Sequence, residues 1–317
     1  MNTKHMLRIN KFLLNLSKCF YKVGLYVPGR WIGRIRQFWS LNFLEKFAKE
    51  KNLFDKKYSY ENEEQDSEKY IFVLWYQGFD NLPPIIEKCI ESIKKHIKNR
   101  KLVLISWENI KDWADLPDYI YEKLERGDIT KTFFSDILRS SLLYKYGGCW
   151  LDAAIFLTDE IDESYFDRIY YCPSGIKTEL KKDFRYLFHK TQGWNVSFQG
   201  TNQKHFLLYD FLYHYYLEYF KIYDSHCDYF QNDFCISLFL KNNKDFRKIV
   251  LENRENNTQE FILAEMMNRT LTEKTKKKID SLLQETKIHK LTYKKNWKRQ
   301  IKNMRTVYDY TVFGENK

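Results

Sequence analysis

The sequence lacks any uncharged apolar run of the roughly 18–20 residues that a helix needs to cross a bilayer. Near the N-terminus, the apolar piece from Phe12 to Leu16 is interrupted by Asn15 and followed by Lys18, so it is too short for the core of a signal peptide. We therefore expect a protein that neither spans a membrane nor is secreted.

Paired cysteines and flexible linkers are also scarce. The six cysteines are scattered, with no C-x-x-C pair and no zinc-finger spacing, which is typical of a reduced, cytoplasmic protein. Only 5 prolines and 11 glycines occur in 317 residues, while 44% of the residues are hydrophobic and 18% aromatic. This composition excludes a disordered chain and predicts one large domain or two small ones.

Acidic residues are missing from the first 44 positions. Residues 1–57 contain 13 Lys or Arg against 3 acids, a surplus of ten in a chain whose net charge is +11. Residues 4–23 have the pattern of a basic amphipathic helix that Pro28-Gly29 ends, and a second apolar stripe begins at Trp31. Basic faces opposite Trp and Phe are typical of helices that bind an anionic membrane surface. The alternative is an ordinary helix that packs on the rest of the protein and leaves its basic face in water.

Several catalytic and binding signatures are absent. The sequence has no G-x-S-x-G, no P-loop and no G-x-G-x-x-G, and its seven histidines show no metal-binding spacing. No known nucleic-acid-binding module accompanies the positive charge, so we expect no nucleic acid partner.

The order of apolar and amphipathic segments predicts an α/β fold with a largely parallel sheet. Strands are predicted at 70–76, 102–106 and after Gly148, with helices at 83–97, 117–127 and before Gly147. Further strands are predicted at 169–172 and 196–198, and helices at 204–220, 231–252 and 258–285. Ligands of such sheets bind beyond the carboxyl ends of the strands, which here are the segments 76–78, 107–109 and 152–154.

The stretch from Ser135 to Thr158 is the most site-like part of the chain. Asp136 and Arg139 lie three apart on one helix face, and Gly147-Gly148 ends that helix. A buried strand then delivers a single acid, Asp152, into an apolar setting. Such a carboxylate must be hydrogen-bonded, bound to a metal or placed at a cavity edge.

The same stretch resembles a known family. SD-x-x-R, YKYGG and W-L-D-A resemble the core motif of bacterial capsular polysaccharide synthesis glycosyltransferases, which are related to DXD-type α-mannosyl, α-galactosyl and α-N-acetylglucosaminyl transferases. The segments IFVLWYQG (71–78), DYFQND (228–233) and KIHKLTYK (287–294) resemble further blocks of the family, in the same order. The resemblance implies a GT-A-like fold for the domain at 70–317. The acidic run predicts a linker at 61–69, and the basic amphipathic pattern predicts a membrane-association arm at 1–60.

The resemblance also implies the roles of particular residues. Asp152 would bind a divalent metal, Mn²⁺ or Mg²⁺, although Ala154 stands where the second acid of a D-x-D would be. Asp233 or Asn232 would then assist Asp152 in binding the metal. The donor would contact the following residues: Tyr76 and Gln77 at the base, Asp136 and Arg139 at the ribose or sugar, Gly148 by close approach, and His289, Lys290 and Lys294 at the diphosphate. For Asp152 the structural alternative is a hydrogen-bonded carboxylate at a strand end.

The resulting expectation is a glycosyltransferase that transfers a hexose or N-acetylhexosamine from a UDP-linked donor with retention of configuration. The acceptor would be a lipid-linked oligosaccharide of a capsule or other surface polysaccharide. Residues 1–44 would hold the protein on the inner face of the cell membrane. A capsular sugar-phosphate transferase and an inactive glycan-binding scaffold are the alternatives.

Overall fold

The protein has an α/β fold around a four-stranded sheet. The computed structural model describes residues 2–55, 69–175, 195–253 and 256–314. The sheet has the order β2-β1-β3-β5, formed by β1 (Tyr70–Leu74), β2 (Lys101–Ile105), β3 (Gly148–Asp152) and β5 (Phe198–Thr201). β1 pairs in parallel with both β2 and β3, whereas β5 runs antiparallel to β3. The predicted fold class is therefore confirmed.

The register of the sheet brings two strand ends together. β1 is a continuous apolar run, as expected for a strand buried on both faces. Its last residue, Leu74, lies opposite Asp152, the last residue of β3. β2 lies on one side of β1 and β3 on the other. The chain therefore reverses its direction of winding between β1 and β3, which is where open α/β sheets bind ligands.

Helices cover both faces of the sheet. The helices are α1 (Thr3–Lys22), α2 (Tyr26–Glu50), α3 (Pro84–His96), α4 (Ile110–Trp113), α5 (Asp118–Glu125), α6 (Lys131–Tyr146), α7 (Leu207–Ile222), α8 (Gln231–Asn242), α9 (Lys244–Glu252), α10 (Ile262–Met266), α11 (Glu273–Glu285) and α12 (Val307–Phe313). One core contains Phe72 and Trp150 together with the apolar residues of α6, α7 and α8. The other contains Val73 and Leu151 with those of α3 and α10.

Two consecutive glycines connect α6 to β3, as predicted. Gly147 has a φ of +66° and ends the helix. Gly148 has a φ of +75°, and a Cβ atom there would lie 2.5 Å from the carbonyl oxygen of Tyr70. Gly148 is therefore required because β1 approaches closely. It lies at the end of β3 that is distant from Asp152.

The first two helices form a hairpin that packs on the rest of the protein. The buried face of α1 includes Met6, Asn10 and Leu14. Asn10 donates to Ser40 of α2 at 3.0 Å and to the carbonyl oxygen of Cys227 at 2.8 Å. The helix break lies at residues 23–25 and not at Pro28-Gly29, because proline is tolerated in the first turn of α2. The division into an arm, a linker and a transferase domain stays a prediction, and the linker lies outside the described residues except for Lys69.

The later elements differ in detail from the predictions. The helical segment 231–252 is two helices that meet at Asn243, whose side chain caps α9, and 258–285 contains α10 and α11. Tyr171 makes a single bridge to Gly200 in place of a strand at 169–172. Two small sheets complete the fold: β4 (Ile155–Leu157) with β6 (Ile288–Lys290), and β7 (Gln300–Ile301) with β8 (Met304–Arg305). Among the described residues, no helix is both long and apolar enough to cross a membrane.

Candidate functional site

A cavity of about 570 Å³ opens at the carboxyl ends of β1 and β3. Its lining comes from the segment after β1, the first turn of α6, the end of β3, α10 and the segment after β6. The lining residues are Leu74, Trp75, Tyr76, Gln77, Lys131, Thr132, Ser135, Trp150, Asp152, Ala153, Ala154, Tyr229, Phe261, Ala264, Glu265, Lys290, Leu291, Thr292, Tyr293, Lys294 and Lys295. This is the position that the strand order predicts for a ligand.

Four charged side chains of alternating sign, Asp136, Arg139, Asp152 and Lys290, form what we call the charge row. Arg139 Nη1 lies 3.2 Å from Asp136 Oδ1, and Arg139 Nη2 lies 3.5 Å from Asp152 Oδ1. Lys290 Nζ donates to Asp152 Oδ2 at 2.6 Å. Since only the Asp152 and Lys290 members line the cavity, the row runs from the protein interior to the cavity wall.

Strand geometry explains how Asp152 enters the charge row. Alternate residues of a strand share a face, so Trp150 and Asp152 both face α6. Trp150 Nε1 donates to Asp152 Oδ1 at 2.9 Å, and the Arg139 guanidinium lies 5.1 Å from the centroid of the Trp150 ring. The predicted buried acid is therefore hydrogen-bonded and also at a cavity edge.

The charge row separates the pKa values of its two acids. Burial alone would raise the pKa of Asp152, but the charges of Lys290 and Arg139 hold it below its ordinary value. Burial raises the pKa of Asp136 to about 6, with Arg139 opposing this shift and Asp152 adding to it. Asp152 is thus a stable anion at neutral pH, whereas Asp136 titrates close to neutrality.

Aromatic rings and lysines surround the cavity mouth. Tyr76 and Trp107 have ring centroids 5.1 Å apart, and Lys131 Nζ lies 4.1 Å from the centroid of the Tyr76 ring. Trp75 and Tyr293 meet edge to face, with centroids 5.1 Å apart. Flat rings beside ammonium groups suit a ligand that has both a planar base and negative charge.

The structure brings most of the predicted donor-binding residues together. Tyr76, Gln77, Lys290 and Lys294 line the cavity together with Asp152. Asp136 and Arg139 do not line it; they form the predicted pair and reach the cavity through Asp152.

Four other predicted site residues lie elsewhere. His289 is fully buried beside Phe156, because strand alternation turns it away from the side of β6 on which Lys290 lies. Gly148 lies at the opposite end of β3, ~13 Å along the strand from Asp152. Asn232 is buried and accepts a 2.6 Å hydrogen bond from Tyr216, and Asp233 follows it on α8 outside the cavity lining.

Asp233 is nevertheless close to the charge row. Desolvation raises the pKa of Tyr229, and the carboxylates of Asp136, Asp152 and Asp233 raise it further. Tyr229 lines the cavity, so Asp233 contributes to the electrostatic environment of the cavity although it does not line it.

The sequence reasoning missed several residues of the site. Glu265, on the short helix α10, is the second carboxylate of the cavity lining, and no motif marked it. Lys131 and Lys295 add two lysines to the predicted pair. Tyr293 belongs to the KIHKLTYK segment and Tyr229 to the DYFQND segment, so both could have been found by extending those motifs. Behind the cavity, Glu260 accepts from Ser197 and Asn195, and burial raises its pKa to about 7.

The donor set at Asp152 does not fit a divalent metal. At nucleotide sites Mg²⁺ and Mn²⁺ are held by one or two carboxylates together with phosphate oxygens, and the carboxylate oxygens must be open to the metal. Ala154 supplies no ligand, and both oxygens of Asp152 face N–H donors, two of them cationic. Within the described ranges, no group of three or more His, Cys, Asp or Glu side chains could hold a metal ion.

Comparison with known proteins identifies the family. The family model described as "Capsular polysaccharide synthesis protein" matches residues 32–311. The chain is also similar to the O-glycosyltransferase PaGT of Phomopsis amygdali, with 27% identity over 107 residues, and to the O-glycosyltransferase braB of Annulohypoxylon truncatum, with 24% identity over 112 residues. These alignments cover 31% and 32% of this chain, and 26% and 27% of the relatives. The extent of the family match shows that the chain belongs to the capsular polysaccharide synthesis family.

Proposed function

We propose that the protein transfers a sugar from a nucleoside diphosphate donor, with UDP as the nucleotide, to a hydroxyl group of a lipid-linked glycan. The observation that carries this proposal is the Asp152–Lys290 pair at the carboxyl ends of β1 and β3, in a cavity lined by lysines and aromatic rings. The sugar is a hexose or an N-acetylhexosamine, the substrate class of the transferases that the motifs resemble.

The cavity has the charge that a diphosphate requires. Four lysines line it against two carboxylates, Asp152 and Glu265. Lys131, Thr132 and Ser135 belong to the first turns of α6, a 16-residue helix whose positive N-terminal end favours an anion. Lysines 131, 290, 294 and 295 would therefore hold the two phosphates.

The remaining lining suits the other parts of the donor. Tyr76 and Gln77 follow β1 and provide a ring and an amide, which can contact the face and the edge of a uracil. Asp152 is held as an anion by Lys290 and Arg139, so it can accept hydrogen bonds from sugar hydroxyls.

The proposed reaction exchanges one C–O bond for another. The bond between the anomeric carbon and the β-phosphate oxygen breaks, and its electron pair stays with the diphosphate. The acceptor hydroxyl forms the new bond, and its proton passes to the departing phosphate. Attack on the face that the phosphate leaves would retain the anomeric configuration, which is the outcome implied by the resemblance.

An exposed apolar and basic surface supports a membrane-bound acceptor. Seven of the 13 exposed large apolar side chains among the described residues lie in the hairpin: Phe12, Val23, Leu25, Val27, Trp31, Ile35 and Phe38. Arg8, Lys11, Lys22, Arg30 and Arg34 are exposed beside them. We propose that this hairpin surface binds the anionic inner face of the cell membrane, where a lipid-linked acceptor would lie.

The reaction is tested by nucleotide release from a panel of UDP-, GDP-, dTDP- and CMP-sugars. We expect slow hydrolysis of one UDP-sugar that releases UDP, with at least a 100-fold loss in Asp152→Asn and no loss in the surface control Asp159→Asn. With an acceptor, NMR of the product reports the anomeric configuration. Release of UMP would indicate a sugar-phosphate transferase, and failure to bind any sugar nucleotide would indicate a scaffold.

The membrane proposal has its own test. Sedimentation with phosphatidylglycerol vesicles should recover the wild-type protein but not a variant with serine at Trp31, Ile35 and Phe38. Serine at Leu251 and Met304, which are exposed outside the hairpin, is the control and should leave binding unchanged. Equal recovery of the two variants, or no recovery of wild type, would contradict a membrane-binding hairpin.

A further inference from the structure

The position of the second acid of a D-x-D carries a methyl group in this protein. Ala154 lines the cavity and is 8% exposed. Its methyl side chain provides no oxygen ligand for a metal. The first acid of the motif, Asp152, faces a cation at each oxygen: Arg139 at 3.5 Å from Oδ1 and Lys290 at 2.6 Å from Oδ2. A divalent ion bound by Asp152 would have to displace Lys290 or lie against its ammonium group.

We propose that Lys290 replaces the divalent metal and stabilises the diphosphate as it leaves, which makes the transferase independent of metal ions. The inference rests on the proposed function. As the bond to the anomeric carbon breaks, negative charge grows on the β-phosphate. A lysine ammonium is a compact point charge with three N–H donors, so Lys290 can keep its bond to Asp152 and donate another to a phosphate oxygen while remaining protonated.

The fold fixes Lys290 more firmly than it fixes Lys294 and Lys295. Lys290 is the last residue of β6 and pairs with Ile155 of β4, which follows Asp152 closely in the chain. Its backbone N–H donates to the carbonyl oxygen of Glu260 at 2.9 Å. By contrast, Lys294 and Lys295 follow β6 in a segment without regular structure. Lys290 is therefore preorganised beside Asp152, as a group must be to stabilise charge that appears only during the reaction.

Metal dependence of the wild-type protein is the first test, and it requires no variant. We expect UDP binding measured by calorimetry, and UDP release from the donor, to change less than twofold between EDTA and millimolar Mg²⁺ or Mn²⁺. Loss of turnover in EDTA with recovery on adding Mn²⁺ would overturn the inference and leave the proposed function intact. Failure to bind UDP under every condition would overturn both.

Substitution of Lys290 is the second test. We expect Lys290→Met to lower kcat about 100-fold with a smaller change in the KM for the donor, and Lys290→Arg to recover part of the loss, because arginine keeps the charge. Lys287→Met is the matched control, since Lys287 lies three residues earlier, pairs with Asp159 at the surface and does not line the cavity. Thermal unfolding checks that each variant is folded, and unchanged kcat in a folded Lys290→Met would overturn the inference.

Discussion

At the scale of single residues, the charge row determines what the site can do. Arg139 lies between the two acids, so its removal would leave both carboxylates without this cation in a largely buried place, which is strongly unfavourable. Arg139 is 4% exposed, lies beside both acids and does not line the cavity, so it positions Asp152 from behind the cavity wall. In the proposed reaction, the charge and position of Asp152 therefore depend on Asp136 and Arg139, which do not line the cavity.

The raised pKa of Asp136 predicts a pH dependence of stability. Its folded-state pKa of about 6 is above the ordinary 3.8, so between these values the folded protein binds more protons than the unfolded chain. The contribution of Asp136 to the free energy of unfolding must then fall as pH rises from about 4 to 6, by on the order of 2 kcal/mol. Asp136→Asn should remove this fall when urea unfolding is measured across that range.

Above pH 7, the comparison of wild type with Asp136→Asn has an internal control. There Asp136 is ionised in both states, so the free energies of unfolding of wild type and Asp136→Asn should change in parallel with pH. Parallel curves from pH 4 to 6 as well would show that Asp136 does not titrate as the structure requires.

The residues of the site were partly visible in the sequence. Tyr76, Gln77, Asp152, Lys290 and Lys294 lie at strand ends or in family-like segments, and all five line the cavity. The pairing of Asp152 with Lys290 was not predictable, because the two are 138 residues apart in the chain. Glu265 was missed because nothing in a five-residue helix distinguishes a cavity-lining acid from a solvated one.

At the scale of secondary structure, the turn between α6 and β3 sets the position of Asp152. Gly148 and Gly127 have the same φ of +75°, but only at Gly148 would a Cβ atom meet another strand, 2.5 Å from the carbonyl oxygen of Tyr70. A comparison of the two positions therefore separates two contributions to the free energy of unfolding. One is the cost of a left-handed alanine, and the other is the cost of moving β1 away from β3.

Alanine at each glycine tests that distinction. Gly127→Ala should lower the free energy of unfolding by about 1 kcal/mol, the cost of a left-handed alanine. Gly148→Ala should cost on the order of 3 kcal/mol or more, because β1 and β3 must also move apart. Equal losses in urea unfolding would mean that the approach of Tyr70 is not constraining.

Strands and helix ends could be predicted where the sequence has one strong local pattern. Continuous apolar runs located β1 and β2, and paired glycines located the end of α6. The same reasoning failed at Pro28, which the first turn of α2 accommodates, and at Asn243, where the side chain that caps α9 also marks the end of α8. A local pattern does not reveal whether a residue such as Pro28 or Asn243 lies within a helix or ends one.

At the scale of the whole molecule, a buried ion pair attaches the hairpin to the α/β fold. Arg36 Nη1 contacts both carboxylate oxygens of Asp228, at 2.5 and 2.6 Å, and Ser40 also donates to Asp228, at 3.2 Å. Asp228 is fully buried and begins the DYFQND segment. One acid of this segment is thus used to attach the hairpin, while the next residue, Tyr229, lines the cavity.

Removing Arg36 should therefore destabilise the protein strongly. Arg36→Met leaves Asp228 buried without its cation, and we expect a loss of on the order of 3 kcal/mol in urea unfolding. Lys49→Met removes an exposed pair with Glu45 and should cost less than about 1 kcal/mol. A small loss in Arg36→Met would show that the hairpin is attached mainly by its apolar contacts.

We propose that the cavity at the carboxyl ends of β1 and β3 holds a sugar nucleotide, and a crystal structure with a bound UDP-sugar would show whether it does. We expect phosphate oxygens within hydrogen-bond distance of Lys290 Nζ, the base beside Tyr76 and Gln77, and the sugar next to Asp152. A UDP-sugar bound anywhere else on the protein, or in this cavity with its phosphates away from Lys290, would contradict it.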